Sequence, residues 1–143
     1  CPLANVSYTH EARALLPARV PRETAVAQSS RAAALVQGLV SGDWELVRYG
    51  MEDQLAVPHR RRLIAGYDDA CAAGEAAGAC GVTISGAGSS LLALSTPSDA
   101  SGVARAMAEA LSAAGNPATP LHPAIALTGL SVPDASRFPL PGA

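Results

Sequence analysis

The chain contains no lysine; all ten of its basic residues are arginine, a pattern that biased codon use alone would give. Aromatic residues make up only 3% and charged residues 15% of the 143 positions. A core must therefore be assembled from Ala, Leu and Val, thin per residue and inclined to leave apolar surface for a partner. The formal net charge of -2 argues against a dedicated nucleic-acid binder. Three cysteines, Cys1, Cys71 and Cys80, are odd in number and show no CxxC spacing. That argues against a disulfide frame or a zinc site and fits reduced thiols in a cytoplasmic protein. No apolar run approaches the ~20 residues of a membrane span, and no signal peptide is visible. The chain opens on Cys1, not Met, and directly on strand-like sequence, which suggests a piece of a longer product.

What is present is hydrophobic patterning, with 49% apolar residues, enough for one domain. Leu3–Tyr8 reads as a short strand, followed by a helical turn with Thr9 as N-cap that stops at Pro17. A long helix begins at Thr24, with Val26, Ala33, Val36 and Val40 at helical spacing, weakened by Gly38 and ended by Gly42. Asp43 caps the next helix, whose stripe is Trp44, Val47, Met51 and Leu55, and Pro58 ends it. Gly66 starts another, with Asp68 and Asp69 favourable against its N-terminal dipole and Gly78 as C′ residue. Val82–Ser85 and Leu91–Leu94, joined by a small-residue turn, make a hairpin. Pro97-Ser98-Asp99 opens a last helix, closed by Gly115-Asn116-Pro117, and Ile125–Leu130 reads as a final strand. The simplest assembly is a two-layer α+β fold, an antiparallel sheet with helices on one face, of ferredoxin-like type. It would occupy residues 1–132, with 133–143 as a flexible tail.

Three places carry candidate chemistry. Thr9 and Arg13 are four apart, so a hydroxyl and a guanidinium share one helical face and can grip a small anion. The same spacing also describes an N-cap Thr beside a solvated Arg. Arg60 lies in a basic run, His59–Arg62; its fork suits a carboxylate or phosphate, but from the run alone a solvated basic turn is the plainer reading. The turn Gly86, Ala87, Gly88, Ser89 and Ser90 can offer backbone N–H groups and hydroxyls to a phosphate, or be a plain hairpin turn. It lacks the Lys of a Walker motif, and the chain has no GxGxxG. His10, His59 and His122 have no ligand spacing and read as surface or core-edge residues. Glu52 and Asp53 read as exposed helix charges and the lone Trp44 as core. No metal ligand set and no nucleophile triad can be argued.

In order, these segments resemble the C-terminal half of the homoserine kinase family, within the GHMP small-molecule kinases. The resemblance rests on Thr9-His10-Glu11-Ala12-Arg13 leading to Leu16-Pro17, on Ser30-Arg31, and on Asp53 followed by Pro58-His59-Arg60. It continues through Leu63-Ile64-Ala65-Gly66 and the glycine motif Gly78–Ser90. It covers Leu3 to Val132. Departures are His59 for Tyr and Ala65 and Ser89 for Pro; Ser89 frees the turn.

The resemblance implies the GHMP kinase C-terminal domain fold. It also implies transfer of the ATP γ-phosphoryl, with Mg²⁺, to the hydroxyl of L-homoserine in threonine biosynthesis. Thr9, Arg13 and Arg60 match the family's substrate-binding positions, and Gly86–Ser90 would support the phosphate-binding loop. The family's Pro-x-x-x-Gly-Leu-Gly-Ser-Ser-Ala signature belongs to an N-terminal lobe and does not occur here. This half would therefore hold no catalytic residue and no metal, would need that lobe as partner, and would dimerise. Another GHMP acceptor, or a non-catalytic ferredoxin-like ligand-binding module, remain the alternatives. The substrate reading requires Arg13 and Arg60 to converge beside Gly86–Gly88.

Overall fold

Capping chemistry sets most of the element boundaries. The structure, a computed structural model, describes residues 6–88, 90–125 and 128. Its elements are α1 (Val6–Ala14), α2 (Arg22–Ser41), α3 (Trp44–Met51), α4 (Val57–Arg60), a 3₁₀ turn (Arg61–Leu63), α5 (Tyr67–Ala76), β1 (Gly81–Ser85), β2 (Ser90–Leu94) and α6 (Ala100–Ala113). Gly42, at φ 71°, closes α2. The Asp43 carboxylate then accepts the backbone N–H groups of Glu45 and Leu46 and starts α3. Such a cap contributes about 1 kcal/mol. Both α5 and α6 end in Schellman turns: Ala79 N–H donates to the Gly74 carbonyl, and Asn116 N–H to that of Leu111.

β1 and β2 pair antiparallel, with Val82 opposite Ala93 and Ile84 opposite Leu91. These four side chains face one way and pack on the core of Ile64, Tyr67, Ala70, Ala79, Val103, Met107 and Leu111, supplied mainly by α5 and α6. The described residues thus form helices plus a two-stranded antiparallel sheet, the two-layer α+β class expected. α2 and α3 pack on each other, and Met51 of α3 packs against Gly81 at the start of β1.

Small residues bring α2 and α3 together. A Cβ on Gly50 would lie 2.5 Å from the Leu35 backbone, and one on Gly38 would lie 2.7 Å from Val47 N. Both positions need glycine for the crossing, so Gly38 is a contact point and not merely a weak spot in its helix.

Several local expectations are corrected. Val6–Tyr8 is helical, so the expected first strand does not form over these residues; positions 3–5 lie outside the described residues. Thr9 is inside α1 and is not its N-cap. The side of α2 that turns inward is Thr24, Ala27, Gln28, Arg31, Ala34, Leu35 and Gly38. Val26, Val36 and Val40 are exposed, Val40 by 80%. The inward stripe is small and polar because α3 crosses too close for large side chains, and this hides the helix's buried face from an apolar count. α3 stops at Met51, not before Pro58, because Asp53 turns the chain and caps the turn at Leu55 and Ala56. Pro58 belongs to the first turn of α4, where its missing N–H costs nothing. Trp44 is 47% exposed, not core, because it stands at the first position of α3, on the corner with α2. Ile125 is irregular; the rest of the expected last strand and the 133–143 tail lie almost wholly outside the described residues.

Candidate functional site

The chain around Arg60 is built to hold one guanidinium in a fixed place. The Asp53 carboxylate accepts the N–H groups of Leu55 and Ala56, both at 2.7 Å. The Ala56 carbonyl in turn accepts His59 N–H and Arg60 N–H, at 3.1 and 3.0 Å. Beyond the 3₁₀ turn, buried Ile64 anchors the segment in the core.

From that platform Arg60 reaches in two directions. Its Nε donates to the Ala12 carbonyl of α1 at 3.0 Å, and its Nη1 donates to the Gly86 carbonyl at 3.0 Å. One half-buried side chain thus ties α1 to the glycine turn across 48 and 26 positions of sequence. The two bonds use two of the five N–H donors of a guanidinium.

The other expected site residues fall as follows. Arg13, the next residue after Ala12, is exposed near the end of α1, and Thr9 is half-buried one turn earlier. Gly86 has φ +60° and Gly88 φ +114°, values that side chains rarely adopt, and Gly88 N–H closes the turn on the Ser85 carbonyl. Ala87 is half-buried; Ser90 is exposed and pairs with Ser85. Ser89 lies outside the described residues. Arg60, the helix that carries Thr9 and Arg13, and Gly86 are therefore joined by direct hydrogen bonds. Arg61 pairs with Asp68 on the surface at 3.3 Å.

The spacing of the sequence missed a second constellation. Arg31, 8% exposed, is the buried charged residue among the described residues. Its Nη2 and Nε donate to Glu52 Oε2 at 2.8 and 3.2 Å, and its guanidinium carbon lies 4.6 Å from the Tyr49 ring centre. Glu52 and Asp53 are thus a partner and a cap, not free helix charges. Arg31 entered the sequence reading only as half of the Ser30-Arg31 pair of the resemblance, and nothing local points 21 residues ahead to Glu52.

Among the described residues no three His, Cys, Asp or Glu side chains gather that could hold a metal ion. Burial pushes the thiols of Cys71 and Cys80 up, Arg48 opposing it at Cys80, which disfavours thiolate chemistry at neutral pH. No helix of the described residues is long and apolar enough to cross a membrane. A cavity of about 410 Å³ lies between β2, α6 and residues 116–125, lined mostly by apolar side chains and by none of Thr9, Arg13, Arg60 or Gly86.

Comparison with known proteins gives one consistent result. The family model described as GHMP kinases C terminal matches residues 34–113. A homoserine kinase of Natronomonas pharaonis is 43% identical over 110 residues, covering 77% of this chain and 38% of that protein. One of Picosynechococcus sp. is 46% identical over 99 residues, covering 69% and 32%. The crystal structure of homoserine kinase from Cytophaga hutchinsonii superposes with a TM-score of 0.69 at 37% identity, over 73% of this chain and 34% of that one. The chain spans roughly a third of the length of these relatives. More than half of its residues fall within the matched family region, and the chain belongs to the GHMP kinase family as that family's C-terminal domain.

Proposed function

We propose that this chain is the substrate-side domain of a homoserine kinase, a cytoplasmic enzyme of threonine biosynthesis. The observation that carries the proposal is the Arg60 guanidinium, bonded both to the helix of Thr9 and Arg13 and to the glycine turn. L-homoserine carries an α-carboxylate, which guanidinium donors hold by charge-assisted hydrogen bonds of about 1.5–3 kcal/mol each. In this reading Arg13 and the remaining donors of Arg60 grip the carboxylate, and Thr9 adds a hydroxyl. The hydroxyl to be phosphorylated is then pointed away from them, and positioning is the larger part of phosphoryl-transfer catalysis. Gly86–Ser90 shapes the floor of the site from the hairpin. ATP and Mg²⁺ are assigned to the N-terminal lobe, which with a second copy of the chain completes the partner set.

The test joins the chain to the nucleotide-binding lobe of the Picosynechococcus relative and measures homoserine-dependent ADP release. Arg13→Ala and Arg60→Ala should each raise the KM for homoserine by about tenfold or more, with kcat changed much less. Arg60→Lys, which keeps charge but loses the fork, should fall between. An unchanged KM in both alanine variants, or a folded fusion that prefers another alcohol, overturns the proposal.

A further inference from the structure

We propose that the Arg31–Glu52 ion pair is a positioning clamp that sets where Arg60 stands; the inference rests on reading Arg60 as a substrate-binding group. Arg31 is buried in the face of α2 that meets α3, and Glu52 is the first residue after α3. Beyond Glu52 the path is continuous. Asp53 accepts the N–H groups of Leu55 and Ala56, and Ala56 accepts the N–H of Arg60. A parallel tie runs beside it, with Gln54 N–H donating to Gln28 Oε1 at 2.9 Å. α2 therefore grips two of the five residues between α3 and α4, at Glu52 and Gln54, and those five residues lead into the short helix that carries Arg60.

The choice of residues supports a role other than bulk stability. Burying a charge costs free energy, and a well-packed apolar residue would serve stability as well or better. A two-donor contact from Arg31 to one carboxylate oxygen instead fixes where Glu52 sits, and the Tyr49 ring beneath the guanidinium restricts its swing. Arg31 and Glu52 are positioning residues: neither touches the proposed substrate.

The test reads Arg60 itself in the ¹⁵N-labelled chain. The Nε–H of Arg60 is bonded to the Ala12 carbonyl, and its signal is assigned by its loss in Arg60→Lys. Glu52→Ala and Arg31→Met should speed solvent exchange of that Nε–H at least threefold. Backbone amides of Met107 and Leu111 in α6 should keep their rates, which general loosening of the fold would not permit. Glu52→Gln, which leaves an amide oxygen for the guanidinium, should restore much of the protection. Should Arg31→Met fail to fold, Glu52→Ala decides, since that side chain is 57% exposed. Less than a threefold change in folded Glu52→Ala, or equal acceleration in α6, overturns the clamp. The same variants in the fusion enzyme separate the two proposals. Faster Arg60 exchange without a rise in KM removes the substrate role and leaves the clamp. A raised KM in Arg60→Ala, with both exchange and KM unchanged in Glu52→Ala, removes the clamp and leaves the substrate role.

Discussion

At the scale of single residues, the most heavily burdened group after Arg60 is Tyr67. It is 8% exposed in the core beside Cys71, and burial pushes its hydroxyl well above the ordinary value, with Cys71 and Asp68 adding to the rise. Burial likewise pushes the Cys71 thiol up. Both groups are protonated in the fold and ionise more readily once unfolded, with reference values of about 10 and 8.5. Their contribution to stability is therefore complete below those values and shrinks as pH rises through and beyond them. The melting temperature should be flat through neutral pH and fall above about pH 9. Tyr67→Phe should flatten much of that fall, measured by calorimetry from pH 7 to 11. A fall of equal steepness in Tyr67→Phe would contradict it. Arg60 was legible as a candidate from its neighbours Pro58 and His59, but its two backbone partners were not. A bond to Ala12 and one to Gly86 span the chain, and no local spacing encodes them.

At the scale of elements, the α2–α3 corner depends on close approach more than on hydrophobic burial. Gly50→Ala would force a methyl into the Leu35 backbone and should destabilise by about 1–3 kcal/mol, more than an exposed substitution. Asp43→Ala should cost about 1 kcal/mol through the lost cap. Urea unfolding of both variants checks the order; a larger loss for Asp43→Ala would show that the crossing is softer than its geometry implies. The ends of helices and the hairpin were legible because caps, glycines and β-branched runs act locally. Gly42, Asp43, Gly66, Gly78 and Gly115 all stand where their chemistry placed them. The face of α2 was not legible, because its buried stripe contains Gln28, Arg31 and Gly38 while valines point outward. The helix at Val6–Tyr8 escaped for the opposite reason. Its short β-branched and aromatic run has strand propensity, and propensity is a weak prior.

At the scale of the whole molecule, the proposed division of labour gives ATP and Mg²⁺ to the N-terminal lobe, and phosphoryl transfer needs its charge neutralised. The chain alone should therefore release no ADP from ATP in the presence of homoserine. Adding a nucleotide-binding lobe of the same family, in trans or by fusion, should restore release. Turnover by the purified chain would contradict the division of labour proposed between the two lobes. The family itself was legible because motifs in fixed order survive where periodicity fails. The acceptor rests on the fewest residues, and its test lies in the fusion enzyme.

The lone Trp44 offers a consequence of its own. Its ring is half in water where the two α-helices turn, and its carbonyl accepts the thiol of Cys80 just before the first strand. Intrinsic emission from this chain is thus an optical gauge of that corner. Docking of another body there would shift the spectrum to the blue with no dye attached.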